Sequence, residues 1–250
     1  MTNLVIDIGN TATKIGVFSN HILTKHWTVT EPIEQIVTDL LHQTQFDYSI
    51  VASVRKDNLN ELESILKAHT QYISFSAIQS IPINNQYASP ATLGADRLAG
   101  VIAAQHLFPN TNVLVIDLGT CITYDLLTKQ NEYLGGAISP GIAMKFKALH
   151  HYTAKLPLIP ETTPTDTNII GNNTTNAMRA GIIMGTFYEV KGFIEAYQLL
   201  YPALKVILSG GDANLLQHHL KKSIFAHQIF LEPHLVLKGL NTAIQYQHAS

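Results

Sequence analysis

The chain has 250 residues, of which 46% are hydrophobic and only 14% are charged, and its formal net charge is −2. This length suits one large domain or two halves, and the balanced charge argues against nucleic acid as a partner. The single cysteine excludes an intrachain disulfide, and every apolar stretch is far shorter than the ~20 residues that span a membrane. Because the first ten residues have the pattern of a strand and a turn rather than of a secretory signal, we expect a cytoplasmic protein with no membrane partner.

The N-terminal half predicts three strands, then a helix, a strand and a second helix. The strands lie near residues 3–9, 13–18, 24–29 and 48–54. Glu31 suits the first turn of the first helix, and Asp57 is placed to cap the second. The order β-β-β-α-β-α is that of one RNase H-like half.

The same pattern restarts at Asn112. Its predicted elements include a third strand around 132–138, helices near 141–151 and 174–200, a strand over 204–208 and a last helix from about His234 to Gln245. The stretch 157–173, rich in Pro and Thr, predicts a loop or lid. The sequence therefore predicts two RNase H-like halves, 1–110 and 111–250. The first half includes the segment 87–97, which we expect to bind substrate.

One phrase occurs twice, as VIDIGNT over residues 5–11 and as VIDLGT over residues 115–120. In each copy an apolar strand is followed by an Asp, a Gly and a hydroxyl residue. These residues begin a tight turn that leads to a second strand. Gly lets backbone N–H groups approach a ligand, Thr adds a hydroxyl donor, and Asp can hold a cation beside phosphate. Two unrelated hairpins with Gly turns are the alternative. The repetition favours an α/β, actin-like ATPase fold with a central nucleotide cleft.

Polar residues of the first turn are candidates for phosphate contacts, namely Asp7, Gly9, Asn10, Thr11 and Lys14. Lys14 offers a point charge to phosphate, although a solvated strand residue explains it equally well. In the second copy Asp117 and Thr120 have the matching positions. We expect the three acids Asp7, Asp117 and Asp125 to lie at strand ends, where a cation among them would relieve their repulsion.

Asp96 and Arg97 form a second candidate site at the start of a predicted helix. An Asp at this position is usually a helix cap, but Gly94 also allows a close backbone approach. A carboxylate general base beside a cationic anchor suits an alcohol that must lose its proton and a substrate that is negatively charged.

Five ordered motifs carry a specific resemblance. They are Asp-x-Gly-Asn-Thr-x-x-Lys, Tyr-x-x-Pro-x-x-Leu-Gly-Ala-Asp-Arg, Asp-x-Gly-Thr-x-x-Thr-x-Asp, Gly-Gly-x-Ile-x-Pro-Gly and Thr-Ala-x-Leu-Pro. Together they resemble the type III pantothenate kinases of the sugar kinase, Hsp70 and actin superfamily, over residues 5 to about 239. The resemblance implies ATP-dependent phosphorylation of the primary hydroxyl of pantothenate to 4'-phosphopantothenate, the first step of coenzyme A biosynthesis.

The resemblance also implies roles for particular residues. Asp96 is expected to accept the substrate proton, and the residues that bind pantothenate are Tyr87, Gly94, Ala95, Asp96, Arg97 and Thr174. The residues expected to bind ATP, with Mg²⁺, are Asp7, Ile8, Gly9, Asn10, Thr11, Ala12, Thr13, Lys14 and Thr120. Asp117 is expected to bind a monovalent cation, K⁺ or NH₄⁺. Thr175 is a rival to Thr174, because the family usually has a basic residue where this chain has Asn172.

Assembly and two rival functions complete the sequence predictions. Residues 174–201 are apolar on more than one face, so this helix is buried either inside the monomer or against a second chain. The family resemblance favours a homodimer whose shared site takes Asp96 from one chain and Thr174 from the other. The rival functions are another phosphotransferase or phosphohydrolase of the superfamily, and a non-catalytic accessory protein of transcription. The retained acids favour catalysis.

Overall fold

The computed structural model describes residues 1–30, 32–55, 59–78, 80–160, 168–221 and 224–248. Glu31 and Asp57, which the sequence places at helix starts, lie outside the described residues, as does part of the predicted loop 157–173. The chain forms two compact units. The first unit contains Met1–Asn110, Lys129–Leu134 and His234–Ser250, and the second contains Thr111–Thr128 and Gly135–Pro233.

The described residues form eleven strands and eight α-helices. The strands are β1 (Thr2–Ile8), β2 (Thr13–Ser19), β3 (Ile22–Val29), β4 (Tyr48–Ser53), β5 (Gln71–Ser74), β6 (Asn84–Asn85), β7 (Val113–Leu118), β8 (Cys121–Leu127), β9 (Glu132–Pro140), β10 (Lys205–Ser209) and β11 (Ile229–Leu231). The helices are α1 (Glu34–Gln43), α2 (Asn60–His69), α3 (Ala95–Leu107), α4 (Ile142–His151), α5 (Thr174–Arg179), α6 (Gly185–Leu200), α7 (Ala213–Leu220) and α8 (Leu235–His248). A π-helical segment, Ala180–Met184, joins α5 to α6.

The first unit is built on a five-stranded sheet with the order β3-β2-β1-β4-β5. β1 runs antiparallel to β2 and parallel to β4, and it is buried along its length because apolar side chains cover both faces of the sheet. One core packs β1 and β2 against α1 and α2. α3 and α8 pack on each other, and α8 also contacts β1, β2 and β4.

The second unit repeats this topology. Its strands have the order β9-β8-β7-β10-β11, which corresponds strand for strand to the order of the first sheet. β7 is antiparallel to β8 and parallel to β10. Its main core packs β7, β8 and β10 against α6 and α7. The repeated order confirms the predicted α/β class with two RNase H-like halves.

The structure differs from the sequence prediction at the last helix and at the helix predicted over 174–200. The last helix, α8, belongs to the first unit, because its buried face packs on α3 and β1. The helix predicted over 174–200 is divided by the π-helical segment, whose wider turn cannot be seen in a 3.6-residue apolar pattern. Within the described ranges, no helix combines the length and the apolar character needed to cross a membrane.

Candidate functional site

The first repeated turn connects β1 to β2 and presents Asp7 close to its start. Gly9 N–H donates to the Ala12 carbonyl at 3.1 Å, which closes the turn over residues 9–12. The Asp7 side chain is only 7% exposed, and the register places Asp7 directly opposite Lys14. The opposed charges of this cross-strand pair favour a carboxylate at the end of a buried strand. Asn10 and Thr11, at the tip of the turn, are exposed.

Arg55 contacts this turn, and the motifs did not reveal it. Its side chain donates from Nε to the Gly9 carbonyl at 2.6 Å, across 46 positions of sequence. Arg55 follows β4, which pairs in parallel with β1. The available signal was a cation just past the carboxyl end of the predicted strand 48–54, because parallel neighbours end at the same sheet edge.

The second repeated turn lies between β7 and β8, and helix α4 begins against it. Gly119 N–H donates to the Cys121 carbonyl at 3.1 Å, and Gly141 N–H donates to the Thr120 carbonyl at 3.1 Å. A Cβ at Gly141 would overlap the carbonyl oxygens of Gly119 and Thr120, so only glycine lets the first residues of α4 approach the turn so closely. Thr120 itself is exposed.

Asp117 belongs to a polar face of the second sheet. It stands opposite Thr123 on β8 and Ser209 on β10. Ser209 is 1% exposed, and its Oγ has no hydrogen-bond partner among the described residues. Asp125 shares this face, since it lies two residues from Thr123, but it is buried in the middle of β8. The expectation that Asp125 lies at a strand end was therefore wrong.

The first turn of α3 holds Asp96 in a defined position. Arg97 backbone N–H donates to Asp96 Oδ1 at 2.8 Å, and an acid near a helix N-terminus is favoured by the helix dipole. The carboxylate folds back over Gly94, where a Cβ would lie 2.5 Å from Oδ1. Gly94, Ala95 and Asp96 are all partly exposed. The Gly-Ala-Asp sequence thus leaves room for an accessible, oriented carboxylate.

Arg97 contacts Tyr87, which in turn stacks on a second tyrosine. The guanidinium Cζ lies 5.4 Å from the Tyr87 ring centroid, and Nη1 donates to Tyr87 Oη at 3.4 Å. The Tyr87 ring stacks on the buried Tyr133 ring at 6.0 Å with an interplanar angle of 7°. Tyr87 N–H donates to Asn85 Oδ1 at 3.0 Å. The structure therefore brings together Tyr87 and Arg97, which the sequence predicted, with Tyr133, which it did not.

Thr174 begins helix α5. The helix is capped by Asn173, whose Oδ1 accepts from Asn176 N–H at 2.9 Å. Thr174 is exposed, whereas its rival Thr175 is half-buried. Of the two threonines, Thr174 is the more accessible to a ligand or to a second chain.

A partly buried polar network lies elsewhere in the second unit. Lys145 Nζ donates to Glu189 Oε2 at 2.7 Å and to Thr186 Oγ1 at 2.9 Å, and Tyr124 Oη donates to Glu189 Oε1 at 2.9 Å. Burial alone would raise the pKa of Glu189, but hydrogen bonds from Lys145, Ser139 and Tyr124 outweigh it and lower that pKa. Burial and Glu189 raise the pKa of Tyr124. The network joins β8 to α4 and α6.

Comparison with known proteins shows the family to which this chain belongs. The sequence model of the family described as type III pantothenate kinase matches residues 3–196. The chain belongs to the type III pantothenate kinase family. A type III pantothenate kinase of Christiangramia forsetii is 42% identical over 98% of both chains, and one of Flavobacterium johnsoniae is 36% identical over the same shares. The family predicted from the five motifs is confirmed.

Solved structures support the fold at lower identity. A ROK family glucokinase from Streptomyces griseus, in complex with glucose and AMPPNP, aligns with a TM-score of 0.56 and 11% identity over 98% of both chains. An activator of 2-hydroxyisocaproyl-CoA dehydratase from Clostridium difficile, with bound ADPNP, aligns with a TM-score of 0.54 and 12% identity, covering all of this chain and 98% of the other. At such identities the likeness concerns the fold alone. The range matched by the pantothenate kinase family model contains every predicted site residue.

Proposed function

We propose that this chain transfers the γ-phosphoryl group of ATP to the primary hydroxyl of pantothenate and yields 4'-phosphopantothenate, the first product of coenzyme A biosynthesis. The observation that carries the proposal is the match to type III pantothenate kinases over 98% of the chain, together with the partly exposed Asp96 at the start of α3. A cytoplasmic location of this reaction remains a prediction.

Asp96 accepts the proton of the substrate hydroxyl as that oxygen attacks the γ-phosphorus. The bond from Arg97 N–H to Oδ1 fixes one carboxylate oxygen, so the carboxylate is already oriented before the alcohol binds. Arg97 and Tyr87 lie beside it, and Arg97 offers positive charge to an anionic substrate. Gly94 and Ala95 complete the pantothenate-binding segment.

The ATP phosphates bind to the segment from Asp7 to Lys14 and to Thr120. Backbone amides and hydroxyls at a tight turn suit phosphate oxygens, and Lys14 adds a positive charge. Ile8, Ala12 and Thr13 contribute through their backbone, since Ile8 and Thr13 are buried and Ala12 closes the turn. Mg²⁺ would accompany ATP near the Asp7 carboxylate and neutralise charge on the transferring phosphoryl group.

Asp117 binds a monovalent cation. A hard cation such as K⁺ needs several oxygen ligands, and the residues that register beside Asp117 supply hydroxyl oxygens from Thr123 and Ser209. The buried Ser209 Oγ, unpaired among the described residues, fits such a donor set. When bound, the cation would supply positive charge beside the triphosphate.

The chain forms a homodimer in which Thr174 of one subunit contacts pantothenate bound to the other. The helical stretch that follows Thr174 supports this arrangement. Gly181 and Gly185 are exposed, and a Cβ at either would meet no atom within 4 Å, while Tyr188 on the same side is 50% exposed. Small residues beside an exposed aromatic side chain let a second helix pack closely.

A coupled assay of ADP release tests the proposed function directly. Purified chain is incubated with ATP and Mg²⁺, with or without pantothenate, and with K⁺ or a bulky organic cation at equal ionic strength. We expect ADP release that requires pantothenate and falls by most of its value without K⁺. Phosphorylation of a sugar instead would favour another superfamily kinase, and no ATP consumption with any substrate would favour the accessory role.

Light scattering and subunit mixing test the shared site. We expect a mass of twice the 27.5 kDa of one chain at micromolar concentration. Asp96→Asn and Thr174→Val subunits are each inactive as homodimers, but a mixed dimer has one site with both wild-type residues. Recovered activity on mixing supports the shared site, and a fully active monomer refutes it.

A further inference from the structure

Arg55 is fixed beside the end of β1 by its own backbone. The β1–β4 pairing ends with Ile8 opposite Ser53, and Val54 N–H extends it by donating to the Ile8 carbonyl at 3.1 Å. Arg55 N–H then donates to Ser53 Oγ at 3.1 Å. These bonds direct the half-buried Arg55 side chain from β4 toward the turn that follows β1.

The side chain contacts the turn through a short bond. Arg55 Nε donates to the Gly9 carbonyl at 2.6 Å, which is below the usual N–H···O range, and a charged donor shortens such bonds. The bond adds a side-chain contact to the strand ladder that joins these two segments. It therefore constrains the turn at the residue where β1 ends and the exposed tip begins.

Peptide geometry transmits this constraint to the tip of the turn. A trans peptide group is planar, so its N–H points opposite to its carbonyl, and the described residues contain no cis peptide bond. The bond from Arg55 to the Gly9 carbonyl therefore directs the Asn10 N–H away from Arg55. Asn10 lies among the residues to which the proposed function assigns the ATP phosphates.

We propose that Arg55 is a positioning residue for ATP: it holds the Gly9–Asn10 peptide so that the Asn10 amide is oriented before the nucleotide arrives. The proposal rests on the proposed function for the role of the turn. It assigns the effect to the Nε–H bond rather than to the charge of the guanidinium. A preoriented donor binds an anion more tightly because no conformational freedom is lost on binding.

Two substitutions separate the bond from the charge. Arg55→Gln keeps an N–H donor, since Nε2 of glutamine lies as many bonds from Cα as Nε of arginine, but it removes the charge. Arg55→Met has a carbon at that position and removes both. We expect Arg55→Met to raise KM for ATP roughly tenfold or more, the usual effect of losing a charge-assisted hydrogen bond. Arg55→Gln should stay within about threefold of the wild type, and KM for pantothenate should be unchanged in both.

Affinity for a non-hydrolysable ATP analogue is measured in parallel by calorimetry, and melting temperature monitors folding. An equal loss of ATP affinity in both variants overturns the proposal in favour of direct contact between the guanidinium and phosphate. Unchanged affinity in both, or a parallel rise of both KM values with a lowered melting temperature, also overturns it. A wild-type chain that binds the analogue but leaves pantothenate unphosphorylated refutes the proposed function, and analogue binding then still tests Arg55.

Discussion

Replacement of Gly94 by alanine should disable the proposed base without unfolding the protein. The new Cβ would lie 2.5 Å from Asp96 Oδ1, whereas real Cβ contacts are essentially never shorter than 3.0 Å. The carboxylate oxygen must therefore move by at least ~0.5 Å, which is the tolerance within which a catalytic group has to be held. Because a misplacement of ~1 Å costs about 100-fold, we expect kcat to fall by about 10- to 100-fold.

The backbone should accept this substitution. Gly94 has φ −60° and ψ 134°, an extended conformation that any residue adopts. Alanine at a compatible site stabilises by about 0.4–1 kcal/mol, which offsets the ~1 kcal/mol lost if the Asp96–Arg97 hydrogen bond breaks. The melting temperature of Gly94→Ala should therefore remain within a few degrees of the wild type while kcat falls.

A double-variant comparison shows whether the effect passes through Asp96. Asp96→Asn keeps the shape of the side chain and should cost at least ~100-fold in kcat, the usual share of a general base. If Gly94→Ala acts only by displacing the carboxylate, the double variant should be no slower than Asp96→Asn. Steady-state kinetics in the coupled assay and thermal melts measure both quantities. Wild-type kcat in Gly94→Ala, or losses that multiply in the double variant, would refute the reasoning.

Three further predictions concern the cation, the buried network and pH. Asp117→Asn should reduce activity in K⁺ to the level seen with a bulky organic cation, and retained K⁺ stimulation would contradict the assignment. Lys145→Met should lower the free energy of unfolding by about 1–2 kcal/mol, because it leaves Glu189 partly buried without its cation. Denaturant titration measures this free energy. A double variant that also carries Glu189→Gln should recover part of the loss. Partial burial, with smaller effects of His21 and Lys238, lowers the pKa of His106 below its usual 6.5. The folded state then binds that proton less readily than the unfolded chain, so the stability of the fold decreases as the pH drops below about 6.5. The melting temperature of His106→Gln should therefore decrease less than that of the wild type over this pH range.

Local sequence patterns predicted the features of this chain that depend on short-range order. The repeated Asp-x-Gly phrase predicted two halves, because it marks the first strand and turn of each sheet, and the strand orders agree. The Gly-Ala-Asp-Arg sequence predicted an accessible carboxylate at a helix start, and Asp96 lies there. In both cases the pattern itself lies within a few consecutive residues, although the strand orders also need pairings between distant strands.

Features that depend on contacts between distant segments were not predicted from the motifs. Arg55 reaches Gly9 only because β4 inserts beside β1. Tyr133 stacks on Tyr87 because the short β6 pairs with the start of β9. The π-helical segment after Arg179 is also hidden, since residues 174–201 are apolar on more than one face and a rotation of the apolar positions cannot be read from such a pattern.

The two sheets have the same topology, but the repeated aspartates, Asp7 and Asp117, have different neighbours on the adjacent strands. Each lies near the end of the first strand of its sheet, between an antiparallel and a parallel neighbour. Asp7 stands opposite Lys14, a residue of opposite charge on the neighbouring strand. Asp117 stands opposite Thr123 and beside Ser209, two hydroxyl residues that contribute oxygen ligands and no positive charge. This register therefore favours a monovalent cation beside Asp117, at the second turn. A Thr123→Lys variant should place a positive charge opposite Asp117. Any activity that this variant retains should depend less on K⁺ than the activity of the wild type.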